Sequence, residues 1–102
     1  MNTTRIADRL DPFAAARRMA VEGVDFSAFR QAETQLWAGR WTMDLGPEIE
    51  LFLAKDYGRG WAVVIRRREG GSRTASSDGF RKTPEQALAA ALEAADRIFG
   101  GL

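Results

Sequence analysis

Between Arg59 and Lys82 the chain carries seven Lys or Arg against two acids, Glu69 and Asp78. Such an excess suits the binding of anions, either phosphates or the carboxylates of a partner. Within it, Arg66-Arg67-Arg68 ends a strand-like run, and a pleated strand sends Arg66 and Arg68 one way and Arg67 the other. With Gly70-Gly71 as a two-residue turn of the primed type, Glu69 faces Ser72, Arg68 faces Arg73 and Arg66 faces Ala75. Arg66, Arg68 and Arg73 then converge on one face, where like charges repel and an anion would relieve them. The plainer alternative is a solvated hairpin tip whose arginines blunt a sheet edge. Arg81 and Lys82 stand just before a helix start, where free amides and two cations make a second small anion site. Tyr57, in the Gly-rich stretch Asp56–Gly60, is the aromatic expected to be exposed and available to a partner. Arg17 and Arg18 read as the solvated face of a helix.

Other chemistry is thin. The chain has no Cys and no His, so the usual zinc and copper sites and the Ser-His and Cys-His nucleophile pairs are excluded. Glu48 and Glu50 lie two residues apart on one strand face and Asp56 in a loop. No spacing marks an acid/base carboxylate pair, and no motif marks a Mg²⁺ site. Gly58-Arg59-Gly60 is too short to cradle a phosphate. The sequence is therefore read as no enzyme, with no catalytic residue, no metal and no cofactor.

The elements that must position these residues follow from periodicity. At 102 residues, with 45% apolar and 28% charged residues and a net charge of +1, the chain has the make-up of one globular domain. Asp11-Pro12 opens a helix that puts Phe13, Ala16 and Ala20 on one face and stops at Gly23. Ser27 caps a second helix carrying Phe29, Ala32, Leu36 and Trp37, ended by Gly39. From residue 40 the period becomes two: Trp41, Met43, Leu45; then, after Gly46-Pro47, Ile49, Leu51, Leu53; then Trp61, Val63, Ile65. Residues 72–78 return as a polar edge strand. Thr83-Pro84-Glu85-Gln86 is a capping box that opens a C-terminal helix with Leu88, Leu92, Ala95 and Phe99 in one stripe. The fold class is thus α+β, in the order α-α-β-β-β(-β)-α. It forms a single domain, 1–102, divided into a helical segment, 1–39, and a meander of three or four strands plus helix, 40–102.

Phe52, Ala54, Ala62 and Val64 also make the second sheet face apolar. An antiparallel sheet with one wet face alternates more cleanly, so that face is expected to be covered, by the N-terminal helices or by a second copy in a homodimer. Trp41 and Trp61 are expected in the core. No apolar run reaches the roughly 18 residues of a membrane span, and a cytoplasmic location with no membrane partner is expected.

The stretch "SSDGFRKTPEQALAAALEAA" resembles the end of a double-stranded-RNA-binding domain, where a third strand leads into a helix opened by basic residues. That resemblance implies phosphate contact by Arg81 and Lys82, although this chain has Pro84-Glu85-Gln86 where that family has further lysines. "TPEQALAAALEAA" after a "W-x-V-x-I" strand is also similar to the small α/β sandwich modules of phage accessory and anti-CRISPR proteins. This second resemblance implies a non-catalytic interaction module that binds a host protein or nucleoprotein complex stoichiometrically. Direct nucleic-acid binding through Arg66, Arg68, Arg73, Arg81 and Lys82 is the alternative.

Overall fold

The computed structural model describes residues 11–32, 39–68 and 73–99. Helix α1 spans Ala14–Glu22 and helix α2 spans Pro84–Phe99; between them run β1 (Arg30–Ala32), β2 (Gly39–Gly46), β3 (Ile49–Asp56), β4 (Gly60–Arg67) and β5 (Arg73–Ser76). The five strands form one sheet in the order β1-β2-β3-β4-β5, every pairing antiparallel. The α+β expectation therefore holds.

The period-two runs become β2, β3 and β4 because each lays its alternate residues on a single core. Directly paired residues point to the same side, so Trp41, Leu53 and Val63 form one row and Met43, Leu51, Ile65 and Ala75 the next. Helix α2 lies on these rows with Ala87, Leu88, Ala91, Ala94, Ala95 and Phe99 buried, its alanines allowing a close approach to β4 and β5. Phe13, the N-cap of α1, and Ala16 within it enter the same core, with the Phe13 and Phe99 rings 6.3 Å apart. Phe13, Leu51, Leu53, Val63, Ile65 and Leu88 are almost wholly enclosed, each worth about 1.5–3 kcal/mol of transfer free energy. Trp41 and Trp61 pack against this core with Phe26, the three ring centroids lying 5.0–5.3 Å apart.

Helix ends follow their local chemistry. Asp11 accepts the Phe13 N–H at 3.0 Å in a turn ahead of α1. The N-cap of α1 is Phe13, with no side-chain cap bond, so the helix opens two residues later than Asp11-Pro12 predicts. Gly23 stops α1 at φ 119° while its N–H bonds back to Met19. Thr83 Oγ1 accepts the Gln86 N–H at 3.1 Å, the N-cap contact expected of it. Glu85 in addition accepts the Val24 N–H at 2.8 Å, which ties the segment after α1 to the start of α2.

Two expectations are corrected. Ser27 caps no second helix: Asp25 accepts its N–H and hydroxyl, at 3.0 and 2.6 Å, in a single 3-10 turn over Phe26–Ala28. The chain then becomes extended at Phe29 and pairs Arg30, Gln31 and Ala32 with Thr42, Trp41 and Arg40. Packing of Phe26 on the two tryptophans and burial of Phe29 outweigh the helical spacing of Phe29 and Ala32; Leu36 and Trp37 lie outside the described residues. The second correction concerns one of the two covers expected for the other sheet face. Helix α1 shares the core side with α2, so no described element covers that face.

Candidate functional site

The face opposite the helices is built from the other alternation of the strands. Its central row is Arg30, Thr42, Phe52, Val64 and Ser76. On one side of this row lie Arg40, Ala54 and Ala62, and on the other Asp44, Glu50, Arg66 and Thr74. Phe52, Ala54, Ala62 and Val64 are all part-exposed and form the floor of a shallow depression of about 420 Å³ with Arg40, Arg66 and Thr74 at its margin. A patch with an apolar centre and a charged margin is the composition of a docking surface.

Its charges are partly spoken for. Arg66 Nη2 and Arg68 Nη2 both lie 2.6 Å from Glu50 Oε1, and the Arg66 guanidinium sits 5.3 Å over the Phe52 ring. The hydrogen bond from Arg66 holds the Glu50 carboxyl below the usual glutamate range, with the fields of Arg66, Arg68 and Arg30 acting the same way against the cost of desolvation. Arg30 and Asp44 form a looser exposed pair at 3.7 Å. Among the described residues no carboxylate pairs with Arg40.

The expected arginine triad is not assembled. Observed partners are Arg67 with Arg73, Arg66 with Thr74 and Ile65 with Ala75, one residue away from the register set by a two-residue turn. A slip of one residue moves every side chain to the opposite face. Arg73 therefore stands beside Arg67 on the helix side, and Arg66 and Arg68 share the open face without it. The turn residues Gly70 and Gly71 lie outside the described residues; the described pairs put Arg67, and not Arg68, opposite Arg73.

Arg81 and Lys82 are not brought near Arg66 either. Arg81 exchanges both backbone hydrogen bonds with Trp61, each 2.8 Å, at the start of β4, whereas Arg66 lies near its end. Five residues of strand separate these ends by roughly 16 Å. Lys82 is exposed. Tyr57 is 79% exposed on the β3–β4 turn, where Asp56 Oδ1 accepts the N–H groups of Gly58 and Arg59 at 2.9 and 3.0 Å. Those two bonds, that of Gly58 first, lower the Asp56 carboxyl from its usual range.

Sequence reasoning does not expect Arg40 at the site, and expects Glu50 only beside Glu48 on one strand face, whereas Glu48 lies in the turn before β3. The signal was present in the alternation Arg40, Thr42, Asp44 against Trp41, Met43, Leu45, which places Arg40 on the open face. Nothing local says that Glu50 reaches two arginines of the neighbouring strand. Among the described residues no group of three or more His, Cys, Asp or Glu is placed to hold a metal ion, and no helix is long and apolar enough to cross a membrane. No family model, curated protein or solved structure matches this chain.

Proposed function

We propose that this protein is a non-catalytic interaction module that acts by stoichiometric binding to protein through the open face of its sheet. One observation carries the reading: Phe52, Ala54, Ala62 and Val64 form a contiguous apolar floor that neither helix covers. Its margin is polar, as the rim of a protein interface is. On the resemblance to accessory and inhibitor modules, the partner is a host protein or nucleoprotein complex.

Direct phosphate binding is the weaker reading on this geometry. Glu50 already partners Arg66 and Arg68, Arg73 faces the other way, and Arg81 lies at the far end of β4. A phosphate would have to displace Glu50 from both guanidinium groups.

The test is affinity capture with the tagged full chain, as wild type and as Ala62→Glu, before and after nuclease treatment. The reading expects a partner that survives nuclease and is lost with Ala62→Glu, since a lone charge placed in an apolar interface is strongly unfavourable. Retention of the partner by Ala62→Glu would remove the open face from the function. Loss on nuclease alone would transfer the function to nucleic-acid binding.

A further inference from the structure

We propose that in the isolated protein the open sheet face is occupied by a second copy of this chain, related by a two-fold axis that runs along the strands between β3 and β4. The inference rests on the reading of that face as a docking surface and names an occupant for it.

The strand register makes this face self-complementary. Two sheets packed face to face keep their strands within about 30° of one another at a separation of about 10 Å. A two-fold along the strands between β3 and β4 then sets each β3 residue opposite the β4 residue with which it is paired inside the chain. Phe52 meets Val64 of the second copy and Ala54 meets Ala62, because Phe52 pairs with Val64 and Ala54 with Ala62 within the sheet. The apolar floor thus closes on itself.

The same operation sets Glu50 opposite Arg66 of the second copy, since these too are paired. Together with the pairs inside each chain, in which Arg68 also reaches Glu50, this gathers two carboxylates and four guanidinium groups, with Glu50 and Arg66 alternating in sign about the axis. On the outer strands Thr42 faces Ser76 and Asp44 faces Thr74. Arg30, on the edge strand β1, falls beyond β5 of the second copy and meets no like charge. Charge complementarity also selects this axis over one running across the strands. That alternative, passing through the Phe52 row, would set Glu50 against Ala54 and Arg66 against Ala62, leaving charges over alanine methyls.

The area is adequate for a weak dimer. Three strands of eight residues and one of four, about 4.8 Å apart at about 3.3 Å per residue, present roughly 440 Å² in projection, before side-chain relief is counted. A standard interface takes about 800 Å² of accessible surface per partner. A weak dimer is expected, within reach of displacement by a tighter partner.

Sedimentation equilibrium of the full chain tests this, with Ala54→Arg and Ala62→Glu measured singly and mixed. Wild type should dimerise, and each variant alone should weaken dimerisation by at least about tenfold, because each places an unpaired charge opposite alanine. Mixing the two variants should restore a dimer, now a heterodimer, since position 54 of one chain faces position 62 of the other. Circular dichroism melting checks that both variants fold, and Thr42→Arg with Ser76→Glu repeats the design farther from the axis. A wild type that stays monomeric at several hundred micromolar overturns the proposal, and so does a dimer that the variants leave intact or that mixing fails to restore. Its failure is separable from that of the docking reading. A monomer whose captured partner is lost with Ala62→Glu overturns only the dimer, whereas a monomer that captures the same partner with Ala62→Glu overturns both.

Discussion

Glu50 is the residue whose surroundings say most about this molecule. It is one carboxylate between two guanidinium groups at 2.6 Å each, with its pKa lowered chiefly by the Arg66 hydrogen bond. A carboxyl with a folded-state pKa below its unfolded value contributes stability that is present above the unfolded value and lost as pH falls through the folded one. Wild type should therefore lose stability as the pH drops below the normal glutamate range, about 4.3. Glu50→Gln should show a shallower loss over the same interval, measured by urea unfolding at a series of pH values; identical slopes would mean that the clamp does not hold in solution. Asp25 and Asp56 also have lowered pKa values, so the variant should reduce the slope without abolishing it. A second residue-scale case is Gly60, at φ +103° with the Arg81 carbonyl oxygen 2.2 Å from where a Cβ would stand. Gly60→Ala combines a strained backbone with a collision against main chain. It should cost about 2–4 kcal/mol in the same unfolding measurement, and a neutral result would contradict the bridge between Trp61 and Arg81.

At the scale of elements, the β4–β5 hairpin decides which arginines share a face. The Ser77 N–H bonds to the Val63 carbonyl at 2.9 Å, and antiparallel ladders alternate, so Arg66 and Thr74 form a pair of the closer, non-hydrogen-bonded kind. Because the chain has no Cys, an introduced pair reports register without interference. Arg66→Cys with Thr74→Cys should cross-link under mild oxidation, while Arg66→Cys with Ala75→Cys should not, since Ala75 points to the core. Cross-linking of the second pair alone would restore the register of a two-residue turn, and with it the triad of Arg66, Arg68 and Arg73. Elements also explain why β1 exists. Three residues suffice because the preceding turn is held by Asp25, and Phe26 is packed against Trp41 and Trp61.

At the scale of the whole molecule, the two described helices lie on one side of a five-stranded sheet. Among the described residues the consequence is two layers, with an apolar sheet face that neither helix covers. Helix α1 has its own reason for joining α2 rather than crossing to the other face: Phe13 packs near Phe99, and Glu85 holds the backbone of Val24. The open face is thus the complement of the core and, on the proposed function, the place where a partner docks. Capture by Ala62→Glu and the mixed Ala54→Arg and Ala62→Glu dimer test that consequence from two sides.

The sequence by itself determined whatever depends on neighbours along the chain. Alternation of Trp41-Met43-Leu45, Ile49-Leu51-Leu53 and Trp61-Val63-Ile65 assigned β2 to β4 and their inward faces, because a strand's side-chain period is a property of its own backbone. Thr83 and Pro84 marked the start of α2 for the same reason, and the two-sided alternation already marked Phe52, Ala54, Ala62 and Val64 as a second apolar face. Tertiary structure alone decided the rest. The hairpin register depends on loop length, and one residue there exchanged Arg73 for Thr74 beside Arg66. Phe29 and Ala32 have a helical spacing, which the free edge of β2 and the aromatic packing of Phe26 overrode. The side on which α1 lies was fixed by contacts between residues 13 and 99, at opposite ends of the chain. Such long-range packing leaves no local periodicity to read, and on it rests which sheet face stays open.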